Sequence, residues 1–162
     1  MEKKYVLIPT NKEEFRYDNL YMVVAIKDFG DVKRGDFGGY VESEKNLSQE
    51  GNCWIYHRAK VTGNARVSEN ARVCACASVS DNAKVSGNAY VGGFSEVSDN
   101  AEISGNALID SSVTIGGYAR VTDDYELTGS LKIGGRVVLR GKGELKGELV
   151  DHKQTEITSS IF

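Results

Sequence analysis

The 162-residue chain holds one proline, one tryptophan, two histidines and three cysteines. Each scarcity removes a class of protein. Cys53, Cys74 and Cys76 make an odd count, which excludes a closed disulfide framework and makes a reducing cytoplasm the expected compartment. Two histidines, His57 and His152, are too few for a three-histidine zinc site within one chain. Cys74 and Cys76 form only Cys-x-Cys, and Cys53 lies well before them, so all three read as small packing residues and no bound metal is expected. No long apolar run occurs, so no helix is expected to cross a bilayer. The short apolar stretch in "MEKKYVLIP" is too brief for a signal-peptide core. Net charge is small: the value is −3 and the pI about 5.5, without the basic excess that direct nucleic-acid binding requires. "GDFGG" and "GGYVES" lack the following lysine and helix of a phosphate-cradling loop.

Glycine, in contrast, is plentiful, with 18 residues. It recurs with asparagine and aspartate at regular spacing, as in "VSGNAYVGGFSEVSDNAEISGNA" from Val85 to Ala107. Counting in sixes from Ile55 gives Val61, Val67, Val73, Val79, Val85, Val91, Val97, Ile103, Ile109, Ile115, Val121, Leu127, Ile133, Leu139 and Leu145, without an insertion. Two places before most of these stands a small residue such as Ala59, Ala65, Ala71, Ala83, Ala89 or Ser95. Residues two apart share one face of a strand, so a small and a branched residue point inward while the residue between them points out. The remaining three positions, Ser-Gly-Asn or Ser-Asp-Asn, carry turn chemistry.

A turn every six residues closes a prism: three short strands and three corners per 18-residue coil, with coils stacked about 4.8 Å apart as parallel strands. Folding the numbering by eighteen places Asn52, Asn70, Asn88 and Asn106 on one corner and Asn64, Asn82 and Asn100 on a second. Both are expected to form amide ladders along the stack. The third corner carries Arg58, Cys76, Phe94 and Ser112 instead. The hexad pattern resembles the left-handed parallel β-helix of hexapeptide-repeat proteins. The expected fold is therefore all-β: a triangular β-solenoid of about 5–6 coils over residues 49–150, left-handed as the resemblance implies. Residues 1–48, outside the register and strand-like in "KYVLI" and "LYMVVAI", are expected to form a small N-terminal β cap. Residues 151–162 are expected to form a C-terminal cap or tail.

The outward residues of face one run Trp54, Arg72, Tyr90, Leu108, Glu126. Aromatics, an arginine and a leucine in one column are what interface cores are enriched in. Either this column is an interface, or the N-terminal segment folds back over it. Face two (Lys60, Ser78, Glu96, Thr114, Lys132) and face three (Arg66, Lys84, Glu102, Arg120, Val138) read as ordinary solvated surface.

The stretch "DFGDVKRGDFGGYVESEKNLSQEGNCWIY", followed by "GNARV" blocks, looks like a family of small hexapeptide-repeat proteins common in phage and prophage genomes, often labelled transferases. The resemblance implies a host-directed role such as inhibition of a bacterial defence system, for example as an anti-CRISPR protein. That role would be played by binding and occlusion, without catalysis or cofactor. The implied partners are a host protein and further copies of the chain, as a dimer or trimer. Candidate interface residues are Trp54, Arg72, Tyr90, Leu108, Arg58 and Phe94. The alternative is an acyltransferase of the hexapeptide-repeat class that uses acetyl-CoA, with His57 as general base. Against it, His57 sits at a turn in "IYHRAK", and no coil extrudes the loop that usually walls such a site.

Overall fold

The computed structural model describes residues 1–11, 19–147, 150–151 and 156–159, the last two stretches through their backbone. His152, and most of the expected C-terminal cap, lie outside the described residues.

Most hexads fold as a two-residue strand and a tight turn, beginning Trp54–Ile55, Lys60–Val61, Arg66–Val67 and Arg72–Val73. Residues eighteen apart pair in parallel. On face one Trp54 meets Arg72, Arg72 meets Tyr90, Tyr90 meets Leu108 and Leu108 meets Glu126. Face two pairs Lys60, Ser78, Glu96, Thr114 and Lys132 in turn. Face three pairs Arg66, Lys84, Glu102, Arg120 and Val138. Backbone hydrogen bonds such as Lys60 N–H to the Ala77 carbonyl (3.0 Å) and Arg72 N–H to Ala89 (2.9 Å) join each coil to the next. The chain is thus a triangular parallel β-solenoid.

The inward pairs make its core. Ala71 and Val73, Ala83 and Val85, and Ala101 and Ile103 are all fully buried. Each such Val or Ile stabilises the stack by about 1.5–3 kcal/mol. Toward the C-terminal end the small inward site fills with Val113, Tyr125, Leu131 and Val137. There the strand Val138–Gly147 runs on through a corner and pairs with both Arg120–Val121 and Asp124–Gly129.

Every corner needs a left-handed residue, and the sequence supplies one every six positions: Gly63, Glu69, Ala75, Asp81, Gly87 and Gly93 all have φ between 55° and 63°. On two corners the next residue is asparagine. Asn70 Nδ2 donates to Asn88 Oδ1 (3.1 Å), Asn88 to Asn106 (3.1 Å) and Asn106 to the Asp124 carboxylate (2.9 Å). On the second corner Asn64 donates to Asn82 (3.2 Å) and Asn82 to Asn100 (3.4 Å). Both expected ladders are present. Carboxylates at the left-handed positions add a second ladder: the Gly87 N–H donates to Glu69 (2.6 Å), Gly117 to Asp99 (2.7 Å) and Gly141 to Asp123 (2.8 Å).

The N-terminal segment does more than cap. Strands β1 (Tyr5–Pro9), β2 (Tyr21–Ala25) and β3 (Phe37–Val41) form an antiparallel meander. Strand β3 then stacks in parallel on face two, pairing Tyr40 with Lys60, and Leu47 bridges Val67 on face three. Stacking therefore begins before residue 49, at a spacing of 20 (60 − 40, and 67 − 47) rather than 18. Val41 to Leu47 is still six residues, with the 3-10 turn Glu44–Asn46 between them, so the two extra residues lie between Leu47 and Ile55. Asn46 is buried and fully used: its Oδ1 accepts from the Glu42 and Ser43 N–H groups, and its Nδ2 donates to the Gly63 and Ala65 carbonyls.

Strand β1 is the edge of its sheet, where open backbone invites further strands. Gln49 blocks it: Oε1 accepts from the Lys4 N–H (2.9 Å) and the Tyr5 N–H (3.4 Å), and Nε2 donates to the Tyr5 carbonyl (3.3 Å). Pro9, at the far end, has no N–H to offer.

Candidate functional site

The corner between faces one and two is the one without asparagine. In successive coils it reads Tyr56-His57-Arg58, Cys74-Ala75-Cys76, Gly92-Gly93-Phe94 and Asp110-Ser111-Ser112. Exposed Arg58, Cys76 and Phe94 occupy the positions that elsewhere hold the ladder, and Phe94 is 71% exposed. Beside them lies an open groove of about 510 Å³ lined by Tyr40, Arg58, Lys60, Cys76, Ser78 and Glu96. Phe37, 62% exposed, borders an adjoining hollow with His57, Arg58 and Cys76. The corner thus places two exposed aromatics, an arginine and a thiol along one side of the molecule.

A polar cluster supports it from face one. The Tyr56 hydroxyl donates to Asp31 (2.8 Å), and the Arg72 guanidinium stands 3.8 Å from the same carboxylate. Burial, helped by the Asp31 bond, pushes the Tyr56 phenol well above its ordinary value. Burial likewise pushes the Cys74 thiol up to about 11, although Tyr90 and Arg72 favour its thiolate. At neutral pH Cys74 is therefore a protonated packing group and a poor nucleophile. The Tyr90 ring lies over Gly92, where a Cβ would come within 2.6 Å of the phenol oxygen. Gly92 therefore lets the ring lie flat along face one.

The predicted interface column is aligned as expected from Arg72 through Tyr90 to Leu108, on strands that pair directly. Trp54 departs from the outward position given to it. It is 1% exposed, with Tyr5 and Phe29 packed edge-on at 6.3 and 5.3 Å and the backbone of Gly38 against its ring. A Cβ on Gly38 would meet that ring at 2.8 Å. The N-terminal segment covers the tryptophan, so Trp54 serves the fold. Arg58 and Phe94 lie on the third corner and the column on the face beside it.

His57 is exposed, with φ 45°, at the left-handed position of the corner. Among the described residues no carboxylate or carbonyl holds its imidazole in the orientation a general base normally has. Among the described residues no three metal-ligating side chains converge, and no helix is long and apolar enough to cross a membrane.

Two features lay beyond sequence reading. Asp31 comes from a loop outside the hexad register, so nothing in the numbering aligned it with Tyr56 and Arg72. Lys4 is the other: its side chain is buried, and Nζ donates to the carbonyls of Glu50 (3.3 Å), Gly51 (3.1 Å) and Cys53 (3.0 Å) and to Cys53 Sγ (3.3 Å). Phe29 lies 4.7 Å from the ammonium. Burial lowers the Lys4 pKa and raises that of Cys53.

No known family profile matches the chain. A segment of 55 residues, 33% of the chain, is 46% identical to a protein of Escherichia coli (strain K12) described as "Uncharacterized acetyltransferase YdcK". The matched part spans only 17% of that protein's length, and 55 residues are about three coils. The eighteen-residue stack itself makes the fold a hexapeptide-repeat-like β-solenoid.

Proposed function

We propose that this chain is a non-catalytic interaction protein that binds its partner through the third corner and the Arg72–Tyr90–Leu108 column beside it. One observation carries the reading. The third corner gives up the stabilising amide ladder of the other two and presents Arg58, Cys76 and Phe94 to solvent in its place. Exposed aromatics and arginine beside a groove are the usual anchors of a binding surface. The uninterrupted register from Trp54 to Gly147 makes that surface rigid, so little ordering entropy opposes association. The finer form of the reading, from the resemblance to phage and prophage proteins, is inhibition of a host defence protein by occlusion.

The test is native mass spectrometry of tagged protein recovered from a bacterial host lysate, with and without acetyl-CoA. A stoichiometric complex with one host protein, indifferent to acetyl-CoA and lost in Phe94→Ala/Arg58→Ala but kept in His57→Ala, supports binding. A homotrimer that takes up acetyl-CoA, about one per subunit, overturns it.

That outcome would support the second reading, an acyltransferase with His57 as base, which the identity to YdcK favours. In that reading a neighbouring copy supplies the group that orients His57, since no described residue of its own chain does.

A further inference from the structure

Face three carries charge that its own fold leaves unused. Arg66 and Lys84 stand directly opposite each other in the parallel ladder, a like-charge pairing that costs stability. From Arg66 to Val138, Glu102 is the one outward carboxylate of the column, and it is shared by Lys84 (3.7 Å) and Arg120 (3.4 Å). Among the described residues no carboxylate meets Arg66 or Arg136. The Arg136 guanidinium instead lies over the Tyr118 ring at 5.7 Å, and that ring is 59% exposed. Lys84, Glu102, Tyr118, Arg120 and Arg136 line an open groove of about 530 Å³, with the Asn82 and Asn100 amides along its rim.

The carboxylates flanking this face are turned elsewhere. Glu42 accepts from the Gly63 N–H (2.7 Å), Glu69 from Gly87 (2.6 Å), Asp81 from Asp99 (3.2 Å), Asp99 from Gly117 (2.7 Å) and Asp123 from Gly141 (2.8 Å). Their charge is tied to the corner backbone while Arg66, Lys84 and Arg120 project from the flat wall and Arg136 stands at the corner beside it. A protein with net charge −3 therefore concentrates positive charge on one face.

We propose that face three is a docking surface for an acidic protein segment, whose carboxylates pair with Arg66, Arg120 and Arg136 and whose chain lies along the groove beside Tyr118. Three of the four cations are arginines, whose planar fork matches a carboxylate with two parallel hydrogen bonds. A protein segment can space its carboxylates to meet the arginines, whereas a phosphodiester chain carries charge at every unit whether or not a cation faces it. The inference deepens the binding reading and rests on it.

The experiment is fluorescence polarisation at low ionic strength with a fluorescein-labelled oligoglutamate, repeated with an oligothymidylate of equal charge. Arg66→Glu/Arg136→Glu is expected to weaken oligoglutamate binding at least about tenfold. Lys27→Glu/Lys33→Glu, which changes the net charge equally on the N-terminal meander, is expected to stay within about twofold. Arg66→Gln/Arg136→Gln falls between them and shows that added repulsion is not the whole effect. Absence of oligoglutamate binding, equal loss in the Lys27/Lys33 variant, or tighter binding of oligothymidylate with the same arginine dependence overturns the proposal. A failure here leaves the native mass result untouched, because that result depends on Phe94 and Arg58 and not on face three.

Discussion

Two kinds of corner turn the same backbone in this molecule. The ladder corners hold asparagine in successive coils, and each amide donates to the next at 3.1 to 3.4 Å. The third corner makes the same left-handed turn with His57, Ala75, Gly93 and Ser111, and follows it with Arg58, Cys76, Phe94 and Ser112. Inter-coil backbone bonds are equally good on both: Asn88 N–H to Gly105 is 2.7 Å, and Cys76 N–H to Gly93 is 2.9 Å. The turn itself therefore does not need asparagine. The amide adds a bond along the stack, and a corner without it is free to carry other side chains.

The sharpest way to break that comparison is to overload a ladder corner. Gly87 has φ 63°, and a Cβ there would meet the Gly105 backbone at 2.8 Å, so Gly87→Val is expected to destabilise by about 3 kcal/mol in chemical denaturation. Next comes Asn88→Ala, which removes one accepted and one donated bond; a loss of about 1–2 kcal/mol is expected. Cys76→Ala, on the third corner, is expected to cost under about 0.5 kcal/mol. If the two prove equal, the ladders are ornamental.

Alkali separates the corners by pH. Burial raises the Cys74 pKa from 9.0 to about 11, so the fold favours the neutral thiol. Its contribution is complete below about pH 9 and is lost as pH rises through about 11. With the partial exposure of the thiol discounted, about 1–2 kcal/mol should disappear across that window. Tyr56 and Tyr90 also have raised values, so the difference between wild type and Cys74→Ala isolates the thiol. The smallest effect expected is a gain. Ala75 sits at φ 55°, and Ala75→Gly should relieve about 0.5 kcal/mol of strain, seen as a small rise in Tm.

The stack was legible because its information is local and repeated. Val at every sixth position, Ala two before it and Asn at the corner each make the same contact in successive coils, so one hexad predicts the others. The column from Arg72 to Leu108 and the ladder from Asn70 to Asn106 followed from counting. Trp54 shows where counting stops. Its place in the repeat assigns it outward, and residues outside the repeat, Tyr5, Phe29 and the Gly38 backbone, bury it.

The sequence by itself determined the coil, its eighteen-residue register, the two asparagine corners and the absence of one on the third, because each depends on neighbours at a fixed separation. Tertiary structure alone decided the rest. It set the first coil at a spacing of twenty, lodged Lys4 among three carbonyls, brought Asp31 to Arg72 and Tyr56, and, among the described residues, left Arg66 and Arg136 without carboxylates. Those outcomes depend on how a non-repeating segment meets a repeating one and on which way long side chains turn. Periodicity carries no information about either.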